Sequence, residues 1–131
     1  MFPENVYLFT YGTLKKGFKN PFAETLRFAS VFEGEGYFNG RLYLISWYPG
    51  AVYDEMETAK VHGEAYRLTD TEILWELDEY EEVLGDEASS LYLRKVVTVT
   101  LQNGSEVPCW TYLYNQSVDG LPLISDGRFT V

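Results

Sequence analysis

Two stretches of alternating apolar and polar residues, Tyr92 to Leu101 and Val107 to Asn115, meet at Asn103-Gly104. An Asn-Gly pair between such stretches is the strongest short-range hairpin signal, because both turn positions require positive φ. It commits the second half of the chain to an antiparallel pair. Further strand-like stretches run over Val6 to Thr10, Ala29 to Glu35, Gly40 to Trp47 and Val61 to Leu68, and Gly34, Gly36, Asn39, Gly40, Pro49 and Gly50 read as turns between them. Asn20-Pro21 opens a brief helical turn through Leu26, with Asn as cap and Pro at the first helical position. A longer helix starts at Thr69-Asp70-Thr71-Glu72, which has capping-box spacing. It carries Ile73, Leu74, Leu77, Tyr80 and Leu84 at helical intervals and ends near Gly85.

So many strands with so little helix must hide two sheet faces and their edges. A small mixed β-barrel with one or two packed helices does this with the fewest exposed edges, and an open antiparallel sheet covered by the longer helix is the alternative. The expected class is α+β. With 131 residues, 46% hydrophobic, and no repeat or Pro/Ser-rich linker, a single domain over 1–131 is expected.

A formal charge of −10 does not suit a phosphate-backbone footprint, which needs clustered Lys and Arg, so nucleic acid is not an expected partner. Lys15, Lys16 and Lys19 read as a solvated face. No run of eighteen apolar residues suggests a membrane span, and Met1-Phe2-Pro3-Glu4-Asn5 is unlike a signal peptide, so the expected location is cytoplasmic. Cys109 and His62 are the only Cys and His, too few for a Cys/His zinc site, which leaves a magnesium ion held by carboxylates alone as the open alternative. Cys109 reads as a small core residue and His62 as a strand histidine.

Two segments carry chemistry. Phe9-Thr10-Tyr11-Gly12-Thr13-Leu14 runs from an apolar strand into a glycine turn, where the backbone amides of Tyr11, Gly12, Thr13 and Leu14 are placed to cradle a carboxylate; an ordinary loop begins the same way. In Leu77-Asp78-Glu79-Tyr80-Glu81, a spacing of about 100° per residue puts Glu81 within roughly 40° of Leu77, while Glu72, Glu76, Glu79 and Glu82 project elsewhere. An inward carboxylate has a raised pKa and suits general acid–base work. The plainer reading has Glu81 at the helix end, paired with Arg94 or Lys95. Tyr112 and Tyr114 share one strand face and either line a cavity or pack the core.

Four motifs taken in order resemble the γ-glutamylcyclotransferase-like family, which includes AIG2-like proteins. They are Phe9-Thr10-Tyr11-Gly12-Thr13-Leu14-Lys15-Lys16-Gly17, Tyr48-Pro49-Gly50-Ala51-Val52, Val61-His62-Gly63-Glu64-Ala65-Tyr66, and Leu77-Asp78-Glu79-Tyr80-Glu81 followed by Tyr92-Leu93-Arg94. The resemblance implies a mixed α+β barrel, Glu81 at the catalytic position, and a small γ-glutamyl substrate that cyclises to 5-oxoproline without a cofactor. Glu82 stands where the family commonly has glycine, and the stretch between Glu81 and Tyr92 is longer than usual; both alter the neighbourhood of the site. A non-catalytic protein holding a small carboxylate or amide in the same cavity is the competing reading.

Overall fold

The computed structural model describes residues 6–12, 21–45, 48–80 and 90–129. Among the described residues six strands and two short helices follow in the order β1 (Tyr7–Thr10), α1 (Pro21–Phe28), β2 (Ser30–Leu44), β3 (Pro49–Tyr53), β4 (Lys60–Leu68), α2 (Ile73–Tyr80), β5 (Tyr92–Leu101) and β6 (Glu106–Tyr114). The sheet order is β3-β2-β4-β1-β6-β5, and β2 also pairs with β5, which closes five strands into a barrel and leaves β3 as an extra strand on β2. Every pairing is antiparallel except β1 with β6, so the barrel is mixed. An open sheet does not form.

One expectation about the strands fails. The two separate strands and their glycine turns are instead a single 15-residue strand, β2, with a bulge between Phe32 and Gly34. Gly36 and Gly40 serve close approach rather than turning. A Cβ on Gly36 would meet the Thr100 carbonyl oxygen at 2.6 Å, and one on Gly40 would meet that of Val52 at 2.1 Å. Closure against β5 and the addition of β3 both depend on their missing side chains. Pro49-Gly50, read as a turn, opens β3. The hairpin forms where expected, with Gly104 at φ 88°.

Alternation along the strands separates two cores. Phe9, Tyr11, Phe38, Leu42, Ala51, Val61, Ala65, Val97, Val99 and Cys109 fill the barrel. On the outer wall Leu8, Tyr66, Tyr92 and Tyr112 pack with Leu26 of α1 and Ile73, Leu74 and Leu77 of α2. Helix α2 forms because its buried residues recur at the expected spacing, while Trp75 and Glu76 point to solvent. Its N-terminal side-chain acceptor is Asp70, which receives the Glu72 amide at 3.0 Å. Thr69 was the expected cap, so the cap is one residue later. Among the described residues no helix is long and apolar enough to cross a membrane.

Candidate active site

Strand register sets the site. Thr10 faces Glu64 across β1 and β4, and Arg94 faces Tyr112 across β5 and β6. Because Leu8 lies opposite Trp110 in the parallel pair, Thr10 lies abreast of Tyr112. Glu64, Thr10, Tyr112 and Arg94 therefore form one polar row across four strands of the outer wall. The neighbouring row is Tyr66, Leu8, Trp110 and Val96, which is mostly apolar.

Helix α2 lays Asp78 on one end of this row. Asp78 accepts from Arg94 Nε at 2.7 Å and Nη2 at 3.1 Å, a bidentate pair, and from the Tyr112 hydroxyl at 2.6 Å. The guanidinium also lies 4.6 Å from the Trp110 ring centroid. Burial opposes the charge on Arg94, but its hydrogen bonds and attraction to Asp78, with a smaller contribution from Tyr112, outweigh burial and raise its pKa. At the other end the Tyr66 hydroxyl donates to Glu64 at 2.9 Å. Between them Thr10 is 4% exposed, and its hydroxyl has no hydrogen-bond partner among the described residues.

Tyrosines pin the backbone beside the row. The Tyr11 hydroxyl, reaching from the barrel interior, donates to the Tyr112 carbonyl and accepts the Ala51 amide at 3.2 Å. The Tyr92 hydroxyl donates to the Pro49 carbonyl. Pro49 packs so closely on Gly12 that a Cβ there would meet its Cγ at 3.0 Å. Tyr114 covers Gly50, where a Cβ would come within 2.8 Å of the tyrosine's own Cβ. The Tyr11-Gly12 and Pro49-Gly50 motifs, nearly forty residues apart in sequence, thus meet at one end of β1.

Of the residues expected in the site, Tyr11, Gly12, Tyr112 and Tyr114 come together there. Tyr112 and Tyr114 belong to the outer wall rather than to a cavity inside the barrel, whose interior is filled by apolar side chains. Thr13, Leu14 and Glu81 lie outside the described residues, as do Lys15, Lys16, Lys19 and Glu82. Arg94, one expected partner of Glu81, is held by Asp78 through both carboxylate oxygens. Asp78 was not singled out for a role and Arg94 only as a partner of Glu81, although both stand in quoted motifs. Thr10 and Glu64 were likewise passed over.

His62 tilts against Tyr37 at 5.9 Å between ring centroids, on the wall of a cleft of about 570 Å³ that Glu35, Arg128 and Glu64 of the polar row also line. Burial, followed by the charges of Arg128 and Lys60, lowers its pKa. Cys109 is buried in the barrel and its thiol is pushed up to about 12, which makes it unreactive. Among the described residues no group of three or more His, Cys, Asp or Glu side chains could hold a metal ion.

A closed mixed barrel brings the Tyr11-Gly12 and Pro49-Gly50 segments together at one end, and the chain belongs to the γ-glutamyl cyclotransferase, AIG2-like family, whose model matches residues 8–131. The γ-glutamylcyclotransferase family protein YtfP of Escherichia coli is 33% identical over 120 residues, covering 92% of each chain. A solution structure of YtfP superposes with a TM-score of 0.65 over 95% of this chain and 96% of that one. An AIG2-like protein of Mus musculus shares the fold at a TM-score of 0.77 and 23% identity, over 98% of this chain and 90% of its own. YkqA of Bacillus subtilis does so at 0.71 and 24% over 95% of this chain, which spans 39% of that longer one.

Proposed function

We propose that this protein is a cytoplasmic γ-glutamylcyclotransferase that releases 5-oxoproline from a small γ-glutamyl amine or γ-glutamyl amino acid, without metal or organic cofactor. The observation that carries the reading is the convergence of Tyr11-Gly12 with Pro49-Gly50, pinned by the Tyr11 and Tyr92 hydroxyls, in a chain of this family. The substrate α-carboxylate binds the backbone amides of Tyr11, Gly12, Thr13 and Leu14, and Tyr112 and Tyr114 support the floor. Held there, the γ-glutamyl chain bends into its reactive conformer, a positioning effect that contributes several kcal/mol.

The α-ammonium has no lone pair to attack with, so Glu81 first takes one of its protons. The free amine then attacks the γ-carbonyl carbon, and the new C–N bond closes a five-membered ring. As the tetrahedral intermediate collapses, the bond to the leaving nitrogen breaks. The Glu81 carboxylic acid protonates the departing amine, and the carboxylate so regenerated takes the extra proton of the ring nitrogen and passes it to the released amine, which leaves as an ammonium. No electrons leave or enter, which is why no redox partner is required.

The experiment is a panel of γ-glutamyl amino acids, γ-glutamylamines and ε-(γ-glutamyl)-lysine assayed for 5-oxoproline. Stoichiometric 5-oxoproline and free amine are expected from at least one member. Ligand-induced thermal stabilisation with no product from any member would instead identify a carboxylate- or amide-binding protein.

A further inference from the structure

The polar row does not stop at Glu64. Glu35 on β2 stands directly opposite it, and beyond Glu35 the Gln102 side-chain amide donates to the Glu35 carboxylate at 3.0 Å. One pleat toward the start of β4, His62 faces Tyr37 and Tyr37 faces Thr100. Both rows line the cleft of about 570 Å³. Arg128 reaches its wall from the C-terminal segment, which is fastened to β4. There the Gly127 carbonyl accepts the His62 amide at 2.8 Å, and Gly127, at φ 66°, lies so close that a Cβ would meet the Lys60 carbonyl oxygen at 1.8 Å.

Opposite charges thus line one cleft without meeting. Among the described residues Arg41, Arg67 and Arg94 are each paired with a carboxylate, whereas Arg128 forms no ion pair with Glu35 or Glu64. Lys60 adds a second cation, its ammonium 4.8 Å from the centroid of the Tyr37 ring. Burial, then Arg128 and Lys60, lower the His62 pKa against the opposing charge of Asp126, so its ring is neutral at pH 7 and carries one N–H donor. The cleft therefore has a cationic end around His62 and an anionic end at Glu35 and Glu64. Asp78, at the other end of the row, is already neutralised by Arg94.

We propose that this cleft binds a small amino acid whose ammonium and carboxylate are separated by several carbons. The ammonium lies between Glu35 and Glu64, which face each other across β2 and β4; like charges so placed repel, and a cation between them relieves the repulsion. Both carboxylates are already oriented, Glu64 by the Tyr66 hydroxyl and Glu35 by Gln102, so little order remains to be imposed on binding. The ligand carboxylate meets the Arg128 guanidinium and the His62 ring N–H. Two residues of strand separate His62 from Glu64, about 7 Å, a wider spacing than the neighbouring charges of an α-amino acid. Tyr11, Gly12, Tyr112 and Tyr114 do not line the cleft, so the assignment goes beyond the proposed cyclisation and does not need it.

The test is an NMR titration at pH 7 with 5-aminopentanoate, with pentanoate and pentylamine, which each keep one of its charges, and with glycine, which brings the two charges together. Wild type is expected to bind 5-aminopentanoate about tenfold or more tighter than the other three, with shifts at the His62, Gly63 and Arg128 amides. Arg128→Gln should bring the Kd for 5-aminopentanoate to within about threefold of that for pentylamine, and Glu35→Gln should weaken 5-aminopentanoate without weakening pentanoate. Both substituted side chains are exposed, so the variants should keep the wild-type melting temperature, and the comparison of the four ligands on wild type needs no variant at all. No binding of 5-aminopentanoate by wild type, equal affinity for it and any of the other three, shifts confined to residues outside the cleft, or unchanged affinity in folded Arg128→Gln would each overturn the assignment.

Discussion

The two faces of the barrel wall are built from the same strands and do opposite things. Inside, Phe9, Phe38, Val97 and Val99 interlock with their neighbours, and Phe9 and Phe38 meet edge to face at 5.7 Å between centroids. Outside, one residue further along each strand, Glu64, Thr10, Tyr112 and Arg94 present charge and hydroxyls to helix α2 and to the end of β1. The lesson is that a five-stranded barrel is too narrow to keep a cavity of its own, so its interior supplies stability and its wall supplies chemistry. Tyr11 joins the two, with its ring in the core and its hydroxyl fastening the site backbone.

That division makes ordered predictions. Phe38→Ala, in the interior, should cost about 3–5 kcal/mol in chemical denaturation, the usual loss for a buried phenylalanine. A loss below about 1 kcal/mol would mean that the barrel is looser than its packing. Asp78→Ala, on the wall, should cost about 3 kcal/mol, because it strands the largely buried Arg94 charge. Breaking the Arg41–Glu57 pair, in which Arg41 is 55% exposed, by Glu57→Gln is the control and should move the denaturation midpoint only slightly. Equal effects at Asp78 and Glu57 would erase the distinction between a built site and an ordinary surface pair. Gly12→Val should leave the fold intact yet raise KM or ligand Kd about tenfold or more, since its Cβ crowds Pro49 and keeps a ligand from the backbone. Normal binding by this variant would remove the backbone cradle from the account.

The smallest effect concerns pH. His62 has a lowered pKa in the folded state, so between the unfolded value near 6.5 and that lower value the unfolded chain binds more protons. Stability attributable to His62 is therefore present above about pH 6.5 and is lost as the pH falls through the folded pKa. Thermal melts from pH 7 to 5 should show a shallower acid decline in His62→Gln than in wild type.

Fold class was legible because periodicity is a property of neighbouring residues: the Asn103-Gly104 hairpin, the Ile73-Leu74-Leu77 stripe and the short β1 all stand where local pattern puts them. Strand β2 was misread because Gly36 and Gly40 look like turns to any local rule. Their purpose, letting β5 and β3 approach, lies in residues far along the chain. The same limit applies to the site. Tyr11, Gly12, Tyr112 and Tyr114 were visible as types in motifs, and they do meet. Asp78 was visible only as a motif letter and Arg94 as a partner for Glu81, since the salt bridge between a helix and a strand has no local spacing. Thr10 left no mark at all, because being unpartnered is a property of three-dimensional surroundings.

The central claim is that a carboxylate at position 81 drives cyclisation, and the direct measurement is 5-oxoproline release by Glu81→Gln, Glu79→Gln and Glu82→Gln beside wild type, with folding checked by circular dichroism. Gln keeps the shape of Glu but cannot take the ammonium proton. Glu81→Gln should therefore still bind substrate while its rate falls at least ~10²–10⁴-fold, and the other two should retain turnover. A folded Glu81→Gln protein that turns over normally, or a loss confined to Glu82→Gln, would contradict the account.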